Sequence, residues 1–255
     1  MRYKNIVVKV GTSTVTHDTG LLNIKRIELL SRTICDLKNS GSKVTLVSSG
    51  AIGVGVSRLG FAEKPKQTRE VQAVAAVGQV ELMNIYSKLF GEYGVNVAQI
   101  LLTKDVIDDG ERRFNAQSTM NTLLDLGVVP IVNENDSIST YEIFGDNDTL
   151  SAYVAQLVSA DLLVLLSDID GLYDSDPNIN KDAKLIHEVT KITDKIKLSA
   201  GAAGTRRGTG GMQTKLAAAE IAMSRGSDMV IANGKDPTVL YDITEGKSAG
   251  TMFRR

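Results

Sequence analysis

Hydrophobic positions in this chain fall into short unbroken runs, separated by stretches in which they recur at helical spacing. The first run, Asn5 to Val10 ("NIVVKV"), is rich in β-branched residues and stops at Gly11, which predicts a buried strand entering a turn. Asn23 stands where a helix N-cap belongs. After it Ile24, Ile27, Leu30, Ile34 and Leu37 recur at helical spacing until Gly41, and "KVTLVSS" follows as a strand. The alternation continues with a helix over 68–93, a strand "VNVAQILL", a helix from about Glu111 to Leu126 and a strand "VVPIVN". A helix from about Thr149 to Ser159, the strand "DLLVLLS", an alanine-rich helix after Gly211 and the strand "DMVIAN" complete it. Strands this apolar require cover on both faces. The pattern therefore predicts an α/β three-layer sandwich, with a mainly parallel central sheet between helical layers. No repeat or linker breaks it, so residues 1–255 are expected to form a single domain.

Charge adds little to this picture. Lys plus Arg number 29 against 30 Asp plus Glu, which predicts no broad attraction to nucleic acid or to an anionic membrane. No apolar stretch approaches the roughly 18 residues of a membrane span, and Lys9 interrupts the N-terminal run, so a cytoplasmic protein is expected. Cys35 is the sole cysteine and lies in a helical pattern without a nearby histidine, which favours a packed apolar role over a nucleophilic one.

In parallel sheets ligands bind beyond the carboxyl ends of the strands, and there the sequence is unusual. "KVGTST", "SSGAIGVG", "NENDS" and "SDIDGLY" follow strands, and "GTGGMQTK" precedes a helix. The glycine clusters suit backbone cradles for an anion, although glycines at strand-to-helix turns are often purely steric. Neither cluster is a GxGxxG fingerprint, and Thr214–Lys215–Leu216 does not fit GxxxxGK[ST]. Lys9 is a charge inside an apolar run, costly unless paired or projecting into a polar site. Together with Lys215 it offers two point charges suited to a phosphoryl group in transit. Asp146, Asn147 and Asp148 precede a helix; one can cap it, leaving the others for the cleft. The acidic "SDIDGLYDSDPNIN" lacks the calcium-loop spacing, and His17 and His187 belong to no ligand cluster, so no protein-held metal is expected.

The candidate site holds lysines, carboxylates, amides and glycine turns, with no histidine. An alcohol acceptor for phosphoryl transfer usually needs a base, whereas a carboxylate, with a free pKa of roughly 4, is already ionised. That composition points to a kinase forming an acyl phosphate.

Taken together and in order, the five motifs resemble the amino acid kinase family along essentially the whole chain. The resemblance implies ATP-dependent phosphorylation of the γ-carboxylate of glutamate, the opening step of proline synthesis. By the same resemblance Lys9 and Lys215 stabilise the transferred phosphate and Asp148 organises them, while Ser49, Asp136 and Asn147 contact glutamate. Ser167 and Asp168 lie at the nucleotide, as do Thr209, Gly210, Gly211, Met212, Gln213, Thr214 and Lys215. Free glutamate carries an α-ammonium that Asp136 can neutralise, which disfavours an N-acetylated acceptor; Ser49, Asn147 and the Gly50 turn supply donors for its α-carboxylate. ATP is expected with Mg2+ held mainly through phosphates and water. A reductase consuming the labile product is an expected partner, as is a second copy of the chain, with Val71 to Leu89 available for self-association or core. Many family members continue into a C-terminal PUA domain; here "GTMFRR" follows the last predicted strand, so the kinase domain alone is expected, with Arg254 and Arg255 as a solvated tail. The competing readings are a kinase for another carboxylate, a carbamate or a nucleotide monophosphate, and a nucleotide- or amino-acid-binding sensor that performs no transfer.

Overall fold

A computed structural model describes residues 2–138, 147–177, 179–201 and 211–255, apart from the side chains of 199–201. Strand β1 (Asn5–Val10) leads through the short helix α1 (Thr12–Val15) to α2 (Ile24–Asn39) and β2 (Lys43–Ser48). Next come α3 (Ala51–Arg58), α4 (Thr68–Gly91), β3 (Val97–Leu102), α5 (Lys104–Asp108), α6 (Gly110–Asp125) and β4 (Val129–Glu134). Helix α7 (Asn147–Leu157) and β5 (Leu162–Ser167) lead to the short β6 (Glu188–Val189), α8 (Asp194–Gly201) and α9 (Met212–Ser224). The chain finishes with β7 (Asp228–Asn233), α10 (Val239–Glu245) and β8 (Thr251–Phe253).

Local chemistry explains the boundaries the pattern predicts. The Asn23 side chain accepts from the Arg26 backbone N–H at 3.2 Å, capping α2, and Gly41 takes a left-handed φ of 102° just after it. Among the described residues the strands form one sheet in the order β3-β4-β2-β1-β5-β7-β8-β6. Every pairing is parallel except β7 with β8, so β1, β2, β4 and β5 all release their chains at the same sheet edge.

Period-two alternation divides the core. Val7, Val47, Leu163 and Leu165 face one layer, built from α6, α7 and α9; Ile6, Val8, Leu46 and Val164 face the other, built from α2, α3, α4 and α10. The three-layer sandwich of the sequence pattern is the observed architecture.

The short elements α1, α3, α5, α8, α10, β6 and β8 lie outside the predicted alternation. A helix of four to eight residues shows too few turns for its spacing to register. The end of the chain also departs from expectation. Residues 251–253 form β8, and Arg254 is half-buried, with its guanidinium on Asp228 at 3.0 Å and on the Tyr3 hydroxyl at 3.0 Å. The Arg255 backbone N–H donates to Asp228 at 3.2 Å, so Arg254 is a clasp and not a solvated tail, while the Arg255 side chain stays exposed as expected. Asp228 lies 26 and 27 residues before its arginine partners, a separation no local pattern reveals.

Candidate active site

Alternation along β1 puts Lys9 on the same face as Val7, toward α7 and α9. Asp148 lies in the first turn of α7 and Lys215 in the first turn of α9. Lys9 Nζ is 2.6 Å from Asp148 Oδ1, and Lys215 Nζ is 3.0 Å from Asp148 Oδ2. Each lysine is 6% exposed and Asp148 is fully buried. Removing such charges from water costs several kcal/mol per ion unless they are paired, which is why residues so distant in sequence meet. A lysine in the first turn of a helix opposes the helix dipole, so the carboxylate, and not α9, accounts for where Lys215 sits. Thr214 Oγ1 lies 2.8 Å from the Gly211 carbonyl and 3.3 Å from Asp148 Oδ2.

Beside this cluster a chain of neutral groups connects three elements. Asn147 Nδ2 donates to Ser49 Oγ at 2.7 Å and to Asn133 Oδ1 at 3.1 Å. Asn133 Nδ2 donates in turn to Gln79 Oε1 at 2.9 Å. Ser49 and Asn147, both predicted, are thus brought together; Asn133 and Gln79 were not singled out. Asn133 had a visible signal, as a polar residue closing an apolar strand at the head of "NENDS". Gln79 had only its place in the uncharged stretch "VQAVAAVGQV". Asp136 is partly buried in the turn after β4, whose Asn135 N–H donates to the Leu102 carbonyl at 2.8 Å.

The glycines of "SSGAIGVG" divide by role. Gly50 precedes α3 with φ 105°, and a Cβ there would stand 2.6 Å from Val15 Cγ2, so the turn requires glycine. Gly55 instead faces α4, where a Cβ would come within 2.0 Å of the Val74 carbonyl oxygen. Gly78 of α4 answers it, its own Cβ position lying 1.8 Å from the Ala51 carbonyl oxygen. Gly55 is therefore a helix-crossing residue, and the backbone N–H groups available to an anion are those around Gly50 at the start of α3.

On the other side of Lys9, the ends of β5 and β7 meet. Ser167 Oγ is 3.1 Å from Asp168 Oδ1, and the Ser167 carbonyl accepts from the Gly234 N–H at 2.7 Å. Asp170 was not singled out, yet it accepts from Asn233 Nδ2 at 2.7 Å and from the Tyr173 hydroxyl at 3.1 Å. Burial, and then Asp170, push the Tyr173 phenol up, keeping it a neutral donor. Gly211 and Met212 open α9, with Met212 buried and Gln213 exposed. Asp146, Thr209 and Gly210 lie outside the described residues. Cys35 is buried in the α2 layer, where loss of solvation raises its thiol pKa to about 11, so it is not an activated nucleophile. Among the described residues, no group of three His, Cys, Asp or Glu side chains is placed to hold a metal ion, and no helix is long and apolar enough to cross a membrane.

Comparison with known proteins bears on this geometry. Residues 4–233 match the model of the Amino acid kinase family. A protein of Clostridium perfringens named Glutamate 5-kinase is 58% identical over 98% of this chain and 95% of its own length. A Clostridium tetani protein of the same name is 58% identical over 98% of this chain and 94% of its own. The crystal structure of UMP kinase from Bacillus anthracis superposes with a TM-score of 0.68 at 18% identity, covering 100% of this chain and 97% of that one, which bears on the fold alone. With the family model spanning most of its length and curated relatives this similar, the chain belongs to the amino acid kinase family.

Proposed function

We infer that this chain transfers the γ-phosphoryl group of ATP to the γ-carboxylate of L-glutamate, giving γ-glutamyl phosphate and ADP, the first step of proline biosynthesis. The observation that carries this reading is the meeting of Lys9 and Lys215 on one buried carboxylate, in a chain 58% identical to proteins named Glutamate 5-kinase. A glutamate γ-oxygen forms the new P–O bond as the bond from γ-phosphorus to the β,γ-bridging oxygen breaks, and the electron pair leaves with ADP. No proton has to be removed from an acceptor already ionised at neutral pH. The barrier lies in bringing one anion onto another, and fixed cations lower it most.

In this reading Lys9 and Lys215 are catalytic, meeting the migrating phosphoryl group from a buried, low-dielectric position, and Asp148 holds both ammonium groups. Ser49, the Gly50 turn and Asn147 receive the glutamate backbone end, and Asp136 receives its α-ammonium. Ser167, Asp168 and the segment Thr209 to Lys215 serve ATP. Support for the nucleotide assignment is the shared edge of β5 and β7, on the far side of Lys9 from Ser49. Magnesium would arrive on the ATP phosphates and water and would supply charge neutralisation there.

Residues 1–255 act as one catalytic domain in this proposal, supported by the eight-stranded sheet that the described residues form. Work in the cytoplasm, self-association through α4 and hand-off of the labile acyl phosphate to a reductase belong to the same proposal. Val80 of α4, 60% exposed in a stretch without charge from Val71 to Val80, supports the self-association.

An ADP-release assay with glutamate, aspartate, N-acetylglutamate and UMP tests the assignment. Turnover is expected with glutamate above the others. Saturable ATP binding without turnover of any acceptor would make the chain a sensor instead.

A further inference from the structure

The amide chain beside the site has a direction, and one backbone group sets it. The Glu134 N–H, which can only donate, lies 2.9 Å from Asn133 Oδ1. Asn133 is 2% exposed, so its oxygen is held toward that N–H and its Nδ2 toward Gln79. Asn147 must then present Nδ2 to Asn133 Oδ1, and its second amide hydrogen goes to Ser49 Oγ. The consequence reaches the proposed acceptor pocket. With Ser49 Oγ accepting, its hydroxyl hydrogen is left to donate to a carboxylate; with both Asn147 amide hydrogens engaged, Asn147 is not the carboxylate donor the sequence suggests, and its carbonyl oxygen is the end left to accept from an ammonium.

Gln79 is the far anchor of this order. It supplies the carbonyl oxygen that receives Asn133 Nδ2, a buried donor whose loss of a partner is penalised. Its reach depends on its neighbour. Gly78 lets α4 close onto the Ala51 carbonyl, one residue beyond the Gly50 turn, and any side chain there would push α4, and Gln79 with it, away from α3.

We propose that Gln79 is a positioning residue for the amino-acid acceptor: through Asn133 it fixes the amide orientation of Asn147, so that Ser49 faces the substrate as a donor and Asn147 as an acceptor. This rests on the reading of Ser49 and Asn147 as acceptor-binding residues. It assigns α4 a part in recognising a group that carries both a carboxylate and an ammonium.

Three proteins test it: wild type, Gln79→Met, which keeps the shape without the acceptor oxygen, and Gln79→Glu, which keeps an acceptor for Asn133. Gln79→Met is expected to raise the glutamate KM about fivefold, the equivalent of one ordinary hydrogen bond, with the ATP KM and kcat nearly unchanged and Tm lowered by about 2–4 °C as Asn133 Nδ2 loses its partner. Gln79→Glu is expected to fall between Gln79→Met and wild type. A glutamate KM for Gln79→Met within error of wild type would overturn the proposal, as would equal changes in both KM values. Side-chain amide resonances of Asn147 in the ligand-free protein provide a readout independent of activity. They are expected to shift in Gln79→Met and to return toward wild type in Gln79→Glu; unchanged resonances would also sink the inference. Absence of glutamate turnover by the wild type would overturn the proposed function instead, and the amide resonances would still decide the role of Gln79.

Discussion

Two buried carboxylates, one at each edge of the sheet, gather cations from distant parts of the chain and do different things with them. Asp148 holds the ammonium groups of Lys9 and Lys215 at 2.6 and 3.0 Å, near the edge where the strands end. Asp228, the first residue of β7 at the opposite edge, takes the Tyr3 hydroxyl at 2.9 Å, the Arg254 guanidinium at 3.0 Å and the Arg255 backbone N–H at 3.2 Å. Arginine is a planar fork whose several donors lock into place, and here those of Arg254, just after β8, tie it to Tyr3, ahead of β1, and to Asp228 of β7. Lysine is a compact charge with three donors on a flexible stem. A carboxylate touching one lysine through each oxygen fixes where both charges sit. The same kind of contact joins two lysines where the strands end and closes the fold at the other edge.

That contrast is broken most severely at the lysines. Lys9→Ala or Lys215→Ala is expected to lower kcat by about 10²- to 10³-fold, the range for removing one group that stabilises transition-state charge, with little change in Tm. Steady-state kinetics alongside a thermal melt checks it; matching losses of fold and activity would make these lysines structural. Asp148→Asn should damage both properties, because it leaves two buried ammonium groups without their carboxylate, at a cost of about 3 kcal/mol in stability. Urea unfolding measures that loss.

At the other edge, Asp228→Asn is expected to lower stability by about 2 kcal/mol while leaving kcat unchanged. Its pH dependence sharpens the comparison. Burial alone would push the Asp228 carboxyl up, but the Arg255 N–H, the Tyr3 hydroxyl and Arg254 outweigh it and hold the group below the ordinary carboxylate value. A depressed folded pKa contributes stability that is complete above the unfolded value of about 3.9 and disappears as pH falls through the folded one. The gap between wild type and Asp228→Asn should therefore be full at neutral pH and shrink below about pH 4 in unfolding titrations. The smallest effect is expected for Asp136→Ala, a rise of about tenfold in glutamate KM with ATP binding retained. A change confined to the ATP constant would move Asp136 out of the acceptor pocket.

Much of this is legible in the sequence. Long apolar strands and helices above about ten residues announced themselves by period, and the motifs clustered after strands because a parallel sheet delivers every strand end to one edge. Short elements stayed hidden because a single turn of helix or a two-residue strand has no period. Arg254 and Arg255 read as a tail because terminal arginines ordinarily are solvated; the partner that reverses this for Arg254 stands at the start of β7.

What the amino-acid order determined by itself was the layering and the catalogue of charged and amide groups at strand ends. Periodicity and composition are local properties, and they can be read from neighbours along the chain. Only the folded chain decided that Lys9 and Lys215 share Asp148, that Gly55 serves a helix crossing and not the anion cradle, and that Gln79 lies within reach of Asn133. Each of those depends on the register between elements far apart in sequence, and register is set by how whole faces pack, not by any stretch of residues alone.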